Sequence, residues 1–191
     1  QERAADLDTP VSAWHKVCAT APYSFLLESV EGGETLGRYS FLGCDPLWVL
    51  ETRGETTTQT FRDGTEKTYS GDPFNILPQC LAPYQPVNLP ELPPGLGGLF
   101  GFWGYELIQW IEPTVPVYDR TDSDLPDGLW MQVDSLLIFD QVKRKMWVVA
   151  YADLRQPGRD FRHHVFGDDL AGEVSLAQIA CGGSRVDVTD A

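Results

Sequence analysis

Basic residues are scarce in this chain: 14 Lys and Arg stand against 28 Asp and Glu, a formal charge of −14 over 191 residues. A surface of that sign repels phosphate backbones and anionic lipid, so nucleic acid and membrane surfaces are poor partners. Cysteine is thin as well. Cys18, Cys44, Cys80 and Cys181 are scattered, with no C-x-x-C spacing and no histidine pattern beside them. That speaks against zinc and thiol–disulfide chemistry and for buried free thiols in a reducing compartment. His163 and His164 are adjacent, so on a helix they would diverge rather than share a metal. No apolar run approaches the roughly 20 residues that span a bilayer. The polar start, Gln1 to Asp6, is unlike a signal peptide, which makes the cytoplasm the expected compartment. Its first residue is Gln rather than Met, which suggests a trimmed chain or a fragment. No nucleophile–base pair or carboxylate dyad stands out, so no residue is assigned a catalytic role.

Hydrophobic residues make up 42% of the sequence, enough for one domain with a sizeable core, or one domain and a tail. Thr9 before Pro10 signals a first helix, with Val11, Trp14, Val17 and Cys18 on its apolar face. Strands are expected near 24–29, 38–42 and 47–52, then at 56–62 and 66–69 around the Asp63-Gly64 turn. That last hairpin is Thr-rich and reads as an exposed edge. Asp72-Pro73 opens a second helix with Phe74, Leu77 and Leu81 inward, its regularity limited by Pro78. Pro83, Pro86, Pro90, Pro93 and Pro94 mark an extended connector. A buried strand over 97–103, a helix over 104–112 stopped by Pro113, an acidic loop and a final hairpin (130–140 with 146–152) complete the series. Periodicity then fades. The reading is an α+β fold, a large, mostly antiparallel sheet of hairpins covered by a few helices. Residues 1–153 form the domain, and 154–191 form a partly helical linker or tail.

Gly97, Gly98, Gly101 and Gly104 fit neither phosphate-loop spacing. Close packing under Phe100, Phe102 and Trp103 is the better explanation. Asp119, Asp122, Asp124 and Asp127 lack calcium-loop spacing, so no metal site is assigned. Lys143 to Lys145 read as a soluble turn.

The segment richest in information runs from Pro22 to Gly43. Two strand-like arms flank a loop carrying Gly32, Gly33 and Gly37. Symmetric pairing about that loop sets Glu28 opposite Ser40 and Ser29 opposite Tyr39. With Arg38, these residues gather an acid, hydroxyls and a guanidinium at one end of an apolar ribbon. Such a group can read a small zwitterion, Glu28 taking the ammonium while hydroxyls and N–H groups take the carboxylate. On spacing alone, an ordinary solvated hairpin end is the plainer alternative.

Leu26-Leu27-Glu28-Ser29 with Ser40, the block Gly97 to Glu106, and Asp124 to Asp127 leading into Leu136 to Lys143 together resemble component I of anthranilate synthase. The likeness covers about Thr9 to Asp153. It implies the N-terminal domain of a lyase that makes anthranilate from chorismate in tryptophan biosynthesis, with ammonia from a glutamine amidotransferase subunit (component II). It further implies that Leu27, Glu28, Ser29, Arg38, Tyr39 and Ser40 belong to a tryptophan feedback site. Chorismate, Mg²⁺ and the catalytic groups belong to a C-terminal domain absent here, so this chain is expected to hold no cofactor and to be inactive alone. The sister enzyme aminodeoxychorismate synthase component I, of folate biosynthesis, and a stand-alone amino-acid-binding or docking module remain the alternatives.

Overall fold

A computed structural model describes residues 2–4, 8–28, 38–84, 99–116, 124–151, 180–181 and 184–185. These fall into two compact units: one holds the described residues up to Asp45 and those from Asp134 on, the other those between Pro46 and Val133. The expected α+β class is what the chain adopts, with its antiparallel strands divided between two five-stranded sheets and a separate two-stranded ribbon, Ala180–Cys181 with Ser184–Arg185.

In the first unit, β1 (Glu2–Ala4), β2 (Ser24–Leu27), β3 (Tyr39–Cys44), β9 (Ser135–Asp140) and β10 (Lys145–Ala150) form one sheet in the order β1-β10-β9-β3-β2. Helix α1 (Pro10–Val17) begins at Thr9, whose hydroxyl accepts from the Ser12 amide while the Ser12 hydroxyl accepts from the Thr9 amide. This reciprocal box satisfies two otherwise orphaned donors. On its inner face Ala13 and Cys18 are buried and Trp14 and Val17 half-buried, packed with Leu26, Leu42, Leu137 and Phe139 of the sheet. Val11, expected on that face, is exposed in the first turn of the helix.

The second unit contains β4 (Trp48–Arg53), β5 (Thr56–Phe61), β6 (Glu66–Ser70), β7 (Phe100–Trp103) and β8 (Gly128–Gln132), ordered β6-β5-β4-β8-β7. Asp63-Gly64 does turn β5 into β6, with Gly64 at φ 83°, and β6 is the exposed edge. Helix α2 (Pro73–Leu81) is capped by the Asp72 carboxylate and buries Pro73, Ile76 and Cys80. Phe74, Leu77 and Leu81 are all half-buried, Leu77 packing beside that cluster. The helix runs through Pro78, whose carbonyl still accepts from the Ala82 amide. Ile76 and Cys80 meet Trp48 and Leu50 on one face of the sheet.

Three of the expected elements need correction. Residues 100–103 form an edge strand rather than a buried one, with Gly101 and Phe102 exposed, and Gly97 and Gly98 lie outside the described residues. The segment after it is a 3-10 turn (Tyr105–Trp110), which buries Leu107 but leaves Ile111 exposed. Gly104 offers no side-chain cap and Pro113 follows closely, so too few residues remain to nucleate an α-helix. The long arm expected over 130–140 is in fact β8 and β9, in different sheets, with Val133 and Asp134 between them. A near-continuous apolar run does not reveal such a break by periodicity. The boundary at 153 and the tail lie outside the described residues, apart from the two-stranded ribbon.

The glycines at the β7–β8 pair are explained by packing. A Cβ at Gly101 would collide with the Leu129 backbone, and one at Gly104 would sit 2.7 Å from the Asp127 carbonyl. Gly128 lies beneath the Trp103 ring, itself edge-on to Trp130 at 5.3 Å. Asp127, expected in a solvated acidic loop, is a structural clamp. Its carboxylate accepts from the Gly54 amide at 2.6 Å, its amide donates to Thr52, and its carbonyl accepts from Gly104. Asp119 and Asp122 lie outside the described residues.

Candidate functional site

Strands β2 and β3 pair antiparallel as Ser24 with Cys44, Phe25 with Gly43, Leu26 with Leu42 and Leu27 with Phe41. One further step of this register sets Glu28 beside Ser40, the pairing the sequence suggests. Glu28 is exposed just past the strand end, and Ser29 lies outside the described residues. Because side chains alternate along a strand, the candidates divide between the two faces. Ser40 stands opposite Phe139, on the face that packs α1, and is 0% exposed. Tyr39 and Phe41 stand on the other face, with rings 6.4 Å apart, alongside Leu27, which is 52% exposed.

Arg38 precedes β3 and is held by Asp140 at the end of β9. Its Nε donates to Oδ1 at 3.0 Å and its terminal nitrogen to Oδ2 at 2.6 Å, a two-pronged pair of the strong kind. The guanidinium also lies 4.9 Å above the Tyr39 ring, a favourable cation–π placement. Asp140 accepts from the Val142 and Lys143 amides as well, which closes the turn into β10. The Arg38 bond above all, and then these amides, hold its carboxyl below the usual carboxylate range, against its burial. Arg38 is raised in turn, first by its hydrogen bond with Asp140.

Gln141 completes the arrangement. Its side-chain amide donates to the Ser40 hydroxyl at 3.2 Å, and its backbone amide donates to the Arg38 carbonyl at 2.8 Å. Ser40 therefore keeps its own proton to donate. Asp140 and Gln141 are the residues that inspection of the hairpin alone overlooks. The only sequence sign of them is an acid placed directly before a polar turn, about a hundred positions from Arg38.

Among the described residues there is no group of three or more metal-ligating side chains. No helix among them is long and apolar enough to cross a membrane. Fold and site thus define an antiparallel α+β module with a hydrogen-bonded polar group, Arg38, Ser40, Asp140 and Gln141, at the end of a hairpin.

No protein-family model matches the chain. Anthranilate synthase component 1 of Synechocystis sp. is 69% identical over 155 residues, covering 81% of this chain and 30% of that protein. The protein of the same name from Acetivibrio thermocellus is 36% identical over 148 residues, 76% of this chain and 29% of its own length. The crystal structure of anthranilate synthase component I from Streptococcus pneumoniae superposes with a TM-score of 0.52 at 24% identity, over 82% of this chain and 32% of that one. This likeness bears on the fold alone. The chain belongs to the anthranilate synthase component I family and spans about a third of the length of the relatives it matches.

Proposed function

We propose that the chain is the N-terminal regulatory and structural region of an anthranilate synthase component I, residues 1–153 forming the domain and 154–191 the linker. In this reading it acts in the cytoplasm, in tryptophan biosynthesis. Chorismate, Mg²⁺ and the amination chemistry are handled by a further domain of the longer protein, with ammonia delivered by a component II amidotransferase. The hairpin end at Leu27, Glu28, Ser29, Arg38, Tyr39 and Ser40 receives tryptophan as feedback inhibitor. Glu28 pairs with its ammonium and Ser29 and Ser40 fix it by hydrogen bonds, while Leu27 and Tyr39, on the opposite face of the strands from Ser40, back the hairpin end. Tryptophan binds one state of the intact enzyme more tightly and shifts the population away from the active one.

The observation that carries this reading is the β2–β3 register, which leads Glu28 to Ser40 in a chain of this family. The test is inhibition of anthranilate formation by L-tryptophan in the intact protein. Glu28→Ala should leave the uninhibited rate intact and raise the half-inhibiting concentration by roughly 10–150-fold, the loss of one charged hydrogen bond. An unchanged inhibition curve would remove Glu28 from the site.

A further inference from the structure

Sequence spacing keeps the cysteines apart, yet the fold brings two of them together. Cys18 is the C-cap of α1, its amide bonded to the Trp14 carbonyl at 2.8 Å and its side chain 1% exposed. Cys44 is the last residue of β3 and is half-buried. Its Sγ reaches the carbonyl of Val17, the residue before Cys18, at 3.6 Å, and both cysteines belong to the core beneath α1. None of the cysteines at 18, 44 and 80 is joined in a disulfide. We propose that Cys18 and Cys44 are a reversible dithiol–disulfide pair that ties the C-terminal end of α1 to the end of β3.

The chemistry follows from their environments. A hydrogen bond with Cys44, reinforced by burial, holds the Cys18 thiol protonated far above the ordinary range. Cys44, with its partial exposure, is therefore the sulfur that meets an oxidant, and Cys18 is the resolving partner. A low-molecular-weight disulfide RSSR supplies the two electron equivalents. The Cys44 thiolate attacks one sulfur and releases RS⁻. Cys18 then yields its proton to solvent and attacks the Cys44 sulfur, releasing the second RS⁻. One protein disulfide forms and RSSR is reduced to two RSH. The step requires the two sulfurs to close to about 2.05 Å. The ring so formed encloses the whole of β2, β3 and the loop joining them, so oxidation would constrain the hairpin that bears the candidate site.

The test treats the reduced chain with oxidised glutathione near pH 8. The expected product has lost two hydrogens, retains no glutathione, and yields on digestion a cross-linked peptide pair containing Cys18 and Cys44. Its Tm should rise by roughly 6–12 °C and return on reduction. Cys18→Ser should trap glutathione on Cys44, and Cys44→Ser should leave position 18 unmodified. Stable glutathione on wild-type Cys44, a link from either residue to Cys80 or Cys181, or both thiols untouched after prolonged exposure would each overturn the proposal.

Discussion

Asp140 shows how one side chain can organise a site it does not line. It is 3% exposed, yet four hydrogen bonds satisfy its two oxygens. Replacing it with Ala should destabilise the first unit by about 2 kcal/mol or more, short of the cost of breaking a fully buried pair because Arg38 keeps a side to water. The pH dependence has a definite sign. A carboxyl lowered in the folded state stabilises fully above its ordinary value of 3.8 and loses that contribution as pH falls through the lowered value. Acid unfolding of wild type should therefore steepen below about pH 4, and Asp140→Asn should flatten that limb. Identical acid limbs would contradict this. Ser40 is a different kind of probe. It is wholly enclosed, so Ser40→Phe overpacks its surroundings and would cost about 1–3 kcal/mol of stability, measured by urea unfolding, whatever it does to ligand. Exposed Glu28 separates binding from folding more cleanly.

At the scale of elements, local chemistry was legible wherever a cap or a turn declares itself. Thr9-Pro10 and Asp72-Pro73 start their helices as read, and Asp63-Gly64 turns its hairpin. The β2–β3 register was legible too, since a glycine-bearing loop and two apolar arms leave few pairings. Hidden features depended on distant partners. Nothing near Arg38 reveals Asp140, and nothing within Gly128 to Asp140 marks where one sheet ends and another begins. Thr9→Ala should cost about 1 kcal/mol through loss of the capping box. Gly101→Ala, with β8 backbone where the new methyl would go, should cost roughly 1–3 kcal/mol. Urea titration reads both, and a neutral Gly101→Ala would refute the packing explanation for the glycines of β7.

For the whole molecule, the surplus of acidic residues and the matched third of longer relatives belong to one account. In the proposed reading this region senses an amino acid and leaves the chemistry to another domain, so it needs no catalytic constellation of its own. The purified chain, supplied with chorismate, ammonia and Mg²⁺, should form no anthranilate; turnover would reassign the catalytic machinery to this region. The proposed tryptophan site is tested most directly by hydrogen exchange on the intact protein with and without L-tryptophan. The account predicts slowed exchange in residues 24–28 and 38–44, with the β5–β6 hairpin unchanged. Protection confined to other segments, or none at saturating tryptophan, would contradict it.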